Sequence, residues 1–145
     1  MEILTSSPRE TQDLAARIAL RCKAGDAFFL YGNLGSGKTT FVTGFLAAID
    51  SSIRVQSPTF VFVRDYKLTK MLRGIKRIYH LDLYRARILQ EALDLGIEDI
   101  IAGDLSVALV EWPDVLGGFV KEDAKRIDFE FVDEKTRKIV TNFDC

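Results

Sequence analysis

Gly32-Asn33-Leu34-Gly35-Ser36-Gly37-Lys38-Thr39 is a glycine, four residues, then Gly-Lys-Thr. This is the spacing of a phosphate-binding loop, and chance produces it in about one chain in two hundred of this length. The apolar run Ala27-Phe28-Phe29-Leu30-Tyr31 precedes it. A helix is expected over residues 38–49 behind it, with Phe41, Phe45, Leu46 and Ile49 on one face. The motif requires this strand–loop–helix order. Glycines at 32, 35 and 37 let the main chain turn tightly and approach a ligand closely, so that successive N–H groups form an anion nest at a helix N-terminus. By the mechanics of the motif, Lys38 reaches the β- and γ-phosphates of a nucleoside triphosphate and the Thr39 hydroxyl ligates Mg2+.

The remainder of the chain bounds this reading. Its 145 residues suit a single domain with one core. Twenty basic and 21 acidic side chains leave a formal charge of −1, without the basic stripe of a protein that grips nucleic acid unaided, so contact with RNA is expected to be indirect. Lys67 to Arg77, the densest basic stretch, reads as a solvated hairpin. Cys22 and Cys145 lack metal-ligand spacing and read as reduced thiols. No apolar run reaches the ~20 residues of a membrane-spanning helix, and the polar N-terminus is unlike a signal peptide. A cytoplasmic protein is expected.

Along the chain, Ser7-Pro8-Arg9-Glu10 is a helix start, with Ser7 as cap, proline at the first helical position and Glu10 completing a capping box. Leu14 and Ile18 carry the helix to about Cys22. Ser57-Pro58-Thr59-Phe60 opens an alternating run through Tyr66. A polar stretch around Lys70 and Gly74 then leads into Ile75 to Leu83, predicting an antiparallel hairpin. Thr59 is either a loop residue facing the γ-phosphate or part of an ordinary turn. Residues 87–95 read as helix, closed by Gly96. Ser106-Val107-Ala108-Leu109-Val110 reads as a buried central strand. Ile127, Phe129 and Phe131 alternate with acids, and after a turn at Asp133–Thr136 a last strand is expected from Lys138 to Phe143. The fold class is α/β, a mixed central sheet flanked by helices in a single phosphate-loop NTPase domain.

A magnesium–triphosphate site also needs a carboxylate beside the metal, at the end of a strand next to the loop. Asp82 follows Ile78-Tyr79-His80-Leu81, and Glu111 follows the uninterrupted run Val107 to Val110. The sequence does not rank the two at the metal. Asp82 as a surface acid would instead pair with Arg85 or Arg87. His80, the sole histidine, reads as a hydrogen-bonded structural residue of its strand. Trp112 either stacks on a ligand or covers a half-buried edge.

Four motifs in order, Gly32 to Thr40, Ser57-Pro58-Thr59-Phe60, His80-Leu81-Asp82-Leu83-Tyr84-Arg85 and Val110-Glu111-Trp112-Pro113, resemble the TsaE (YjeE) family, small bacterial ATPases needed to make threonylcarbamoyladenosine in tRNA. Thr11, the segment Glu91 to Ile101 and the closing hairpin are also similar. The resemblance implies that Gly35, Ser36, Gly37, Lys38, Thr39 and Thr40 wrap the phosphates of ATP. Thr39 and Glu111 would hold magnesium, with Asp82 a second acid near it. Thr11 would lie near the nucleotide, and Arg137 could reach it from the last hairpin. It also implies a partner, the TsaB–TsaD transferase pair, through which the protein would meet tRNA. Asn33 stands where the family commonly has aspartate, and Phe60 where it commonly has tyrosine. No arginine finger or catalytic glutamine stands in a motif, which fits weak hydrolysis without a partner. Two other classes use this loop: a small-molecule kinase, which would phosphorylate an acceptor, and a nucleotide-gated binding module without useful hydrolysis. A GTP switch is disfavoured by the lack of an Asn-Lys-x-Asp motif.

Overall fold

A computed structural model describes residues 1–56 and 62–145. Its strands and helices run in the order β1 (Glu2–Thr5), α1 (Pro8–Arg21), β2 (Ala27–Tyr31), α2 (Lys38–Ile49), β3 (Val63–Leu72), β4 (Ile75–Asp82), α3 (Leu89–Asp94), α4 (Ile97–Ala102), β5 (Ser106–Glu111), a 3-10 segment (Pro113–Phe119), β6 (Lys125–Phe131) and β7 (Arg137–Thr141). The seven strands form one sheet in the order β1-β7-β6-β2-β5-β4-β3. The four central strands β6, β2, β5 and β4 are mutually parallel, while β3, β7 and β1 add antiparallel edges. This is the mixed α/β sheet expected.

Period-two alternation divides the core between the two faces of this sheet. Phe28, Leu30, Ile78, Val107, Leu109 and Ile127 pack under α1 and α2. Phe29, Leu81, Ala108 and Val110 turn the other way, against Ala92 of α3, Ile97 of α4 and Leu116 of the 3-10 segment. The first face is built on phenylalanines: Phe28–Phe45 and Phe41–Phe129 meet edge-on at centroid separations of 5.6 and 5.4 Å, a preferred geometry for aromatic pairs. Gly44 lets α2 lie directly against α1, because a Cβ there would sit 2.6 Å from Gln12 Cα.

Helix α1 starts at the predicted cap and proline, although Glu10 reaches back to Ser6 N rather than to the Ser7 N–H of a capping box. Ser7 Oγ accepts from Glu10 N at 3.1 Å, the Glu10 carboxylate accepts from Ser6 N at 2.6 Å, and Pro8 opens the first turn. Its far end is held by the β3–β4 hairpin, where Arg73 Nη2 donates to Ala19 O at 2.9 Å. A guanidinium suits the unpaired carbonyls of a helix C-terminus.

Several elements differ from expectation. The hairpin expected around Lys70 and Gly74 forms, but with the polar stretch inside the strand: β3 continues to Leu72 and reverses on Arg73-Gly74 alone, with φ of 47° and 81°, the positive pair that matches strand twist in a two-residue hairpin. The expected helix 87–95 begins at Leu89 and does stop before Gly96, but the chain re-enters a helix at once as α4. The last strand ends at Thr141, not Phe143. Strand β1 and the 3-10 segment have no counterpart in the sequence reading. Ser57-Pro58-Thr59-Phe60 lies outside the described residues, and with it the reading of Thr59. Both thiols are free, as expected. Among the described residues no helix is long and apolar enough to cross a membrane.

Candidate functional site

Strand β2 ends at Tyr31, α2 begins at Lys38, and the loop between them lines a cavity of about 420 Å³ at the carboxyl edge of the parallel strands. Gly35, Ser36, Gly37, Lys38, Thr39 and Thr40 line it as one wall, and Asp82, Tyr84, Arg85, Glu111 and Trp112 line it as another. Gly32 does not line the cavity. At φ 151°, its added Cβ would meet Phe129 O and Ser36 Oγ, both at 2.7 Å, so it allows the loop to pass close over β6 and fixes the loop's shape from beneath.

Lys38 is the central charge. Its side chain is buried, at 5% exposure, and Nζ donates to Gly32 O, to Asn33 O at 3.0 Å and to Ser36 Oγ at 3.5 Å. Trp112 lies beneath the ammonium, 4.2 Å from Nζ to ring centroid, a cation–π contact. Among the described residues no carboxylate lies within ion-pair distance of Nζ. Burial pushes the Lys38 amine below its ordinary value, and Glu111, Asp82 and Asp114 pull it partly back. A buried cation held only by neutral oxygens and a ring is a site for an anion.

The acidic wall is assembled by strand pairing. Asp82 and Glu111 are Cα partners in the parallel β4–β5 ladder, so both side chains leave the same face, toward α2. Burial pushes the Asp82 carboxyl up and the neighbouring Glu111 adds to this, while the N–H of Tyr84, donating at 3.0 Å, pulls it down. Asp82 Oδ1 accepts that N–H from within its own turn. Glu111 is 4% exposed, and its Oε2 lies 2.5 Å from His80 Nε2. His80 is thus hydrogen-bonded, as its strand position predicts, but to a residue of the acidic wall. Only the strand order brings the two together.

Trp112 follows Glu111 in the left-handed region, at φ 55° and ψ 51°. A bulky residue held there costs about 1–3 kcal/mol, and such strain gathers at functional sites. The turn places the indole over Lys38 and 4.8 Å from the Tyr84 ring. Arg137 also lines the cavity and donates to Gly35 O at 3.2 Å, bracing the loop from β7. Thr11 does not line it. Its hydroxyl shares a 2.7 Å hydrogen bond with Thr5, and it faces an adjoining recess of about 50 Å³ with Gly37, Thr40 and Arg137.

The donor set is oxygen-rich, with the Thr39 hydroxyl and two carboxylates near a bed of loop N–H groups. That suits magnesium, which is usually bound by one or two carboxylates together with substrate phosphates and water.

The comparisons with known proteins agree over almost the whole chain. The family model described as threonylcarbamoyl adenosine biosynthesis protein TsaE matches residues 5–139. A Bacillus subtilis protein named tRNA threonylcarbamoyladenosine biosynthesis protein TsaE is 33% identical over 135 residues, 93% of this chain and 80% of its own length. One of the same name from Haemophilus influenzae is 34% identical over 121 residues, 82% of this chain and 73% of its own. The crystal structure of Bacillus subtilis YdiB is similar with a TM-score of 0.75 at 29% identity, over 96% of this chain and 82% of that one.

Proposed function

This chain belongs to the TsaE family of tRNA threonylcarbamoyladenosine biosynthesis proteins, and from that premise we propose that it binds magnesium–ATP and hydrolyses it as the ATPase subunit of a TsaB–TsaD type transferase. The observation that carries this reading is the buried Lys38 ammonium, without a carboxylate ion pair among the described residues, in one cavity with two strand-end carboxylates. A polyanion with a divalent cation satisfies both walls together. Neither wall is suited to a neutral ligand.

The loop N–H groups from Gly35 to Thr40 cradle the phosphates, and Lys38 sets its charge against the terminal ones. The Thr39 hydroxyl and the Glu111 carboxylate hold the magnesium, with Asp82 beside them. Bound magnesium offsets the charge of the β- and γ-phosphates. Asp82 and Glu111 also orient attacking water, while Trp112 keeps bulk solvent from Lys38. Weak hydrolysis alone follows from the lack of a motif-borne arginine finger. TsaB–TsaD supplies the missing groups at its interface, and the near-neutral surface leaves tRNA to those partners in the cytoplasm.

The test is phosphate release from ATP by the purified protein, alone and with TsaB–TsaD. Slow release that rises severalfold on adding the pair supports the reading. Indifference to the pair, with ATP consumed only as an acceptor is phosphorylated, would make the protein a small-molecule kinase.

A further inference from the structure

His80 is unused by the reading above, yet it is 1% exposed and its Nε2 lies 2.5 Å from Glu111 Oε2. Its other ring nitrogen, Nδ1, is buried and has no hydrogen-bond partner among the described residues. A neutral imidazole carries one N–H and one bare lone pair. If Nδ1 carried the hydrogen, a buried donor would be orphaned and Nε2 would turn its lone pair on the carboxylate. With the hydrogen on Nε2, the donor meets Glu111 and only an acceptor is left unpaired, the less costly deficit.

The geometry points to His80 as the positioning residue of Glu111: its Nε2–H holds Oε2, fixes the carboxylate's rotation and leaves Oε1 to the metal. This rests on the magnesium–ATP reading, because it is Glu111's share in the metal that His80 controls. A buried carboxylate with one hydrogen bond can swing about its terminal torsion, and a swing exchanges the oxygen facing the cavity. Partners that orient a ligating group in this way commonly change metal affinity or activity 10- to 100-fold when removed.

Because His80 is the sole histidine, the nitrogen-15 NMR spectrum of the histidine-labelled protein reads its tautomer without ambiguity and without nucleotide. Protonated Nε2 with bare Nδ1 is expected, and a protonated Nδ1 would overturn the inference. A second arm titrates magnesium at fixed ATP, using His80→Phe to remove the donor and His80→Gln to return an N–H near the same place. His80→Phe should raise the magnesium needed for half-maximal turnover about tenfold, leaving ATP affinity without magnesium within about twofold. His80→Gln should recover most of the loss. Equal loss in both variants, or an unaltered magnesium requirement in His80→Phe, would overturn the inference alone. A wild-type protein with no response to magnesium–ATP would overturn the ATPase reading and this metal role together, whatever the tautomer.

Discussion

One wall of the cavity is a run of consecutive residues, Gly35 to Thr40, and the other is two carboxylates, Asp82 and Glu111, that meet only because β4 lies beside β5. The first wall is positive and made mostly of backbone, so its shape depends on close approaches such as Gly32 over Phe129. The second is negative and made of side chains, so it depends on register. A slip of one residue between β4 and β5 would send one carboxylate to the opposite face of the sheet. A ligand that needs both walls therefore tests local chain geometry and long-range topology together. Damage to each should be distinguishable.

The largest effect should come from the loop wall. Lys38→Ala removes the buried cation of the site, and ATP affinity is expected to fall on the order of 10³-fold, the scale for truncating one side of a buried charge pair. Calorimetric titration would check it, and near-normal affinity would mean the backbone nest alone carries the phosphates. On the other wall, Glu111→Ala should leave ATP affinity without magnesium within about twofold while magnesium-dependent turnover drops on the order of 10²-fold. An active Glu111→Ala protein would move the metal to Asp82.

Stability separates the walls as well. The loop stands on α2, which is seated on α1 at Gly44, so Gly44→Ala drives a methyl group into the backbone of Gln12. Overpacking of this kind costs about 2 kcal/mol, read as a lower urea midpoint with an unchanged slope. Asp82→Asn should act the other way and by less. Burial raises the Asp82 pKa above the ordinary 3.8, so the native state binds this proton more tightly than the unfolded chain. The ionised carboxyl therefore costs stability above its folded pKa, and the cost disappears as pH falls through that value toward 3.8. The variant should be the more stable at neutral pH, by at most about 1 kcal/mol for a half-buried, partly screened group. That advantage should vanish in acid, while magnesium-dependent turnover declines. An advantage unchanged by pH would mean that Asp82 is not under this strain.

The same contrast explains what the sequence disclosed. A strand, a glycine-rich loop and a helix in succession carry their own spacing, so the positive wall was legible residue by residue. Asp82 and Glu111 were legible one at a time, because each ends an apolar run. Their pairing, and the grip of His80 on Glu111, depend on which strands are neighbours, and no local pattern encodes that. Strand β1 has four residues and α4 has six, too few for a periodic signal. The left-handed turn at Trp112 runs against residue preference, so the placement of its ring over Lys38 could be read only from the fold. Gly44 had a legible helix around it but no sign of the Gln12 backbone beside it.

The most direct test titrates ATP into the wild-type protein by calorimetry, with and without magnesium, and repeats the pair of titrations with Glu111→Ala. If the two walls act together on one magnesium–triphosphate, ATP binds wild type in both conditions, magnesium tightens it, and the tightening is lost in Glu111→Ala. The absence of ATP binding to wild type at millimolar concentration, or an equal magnesium effect in both proteins, would contradict it.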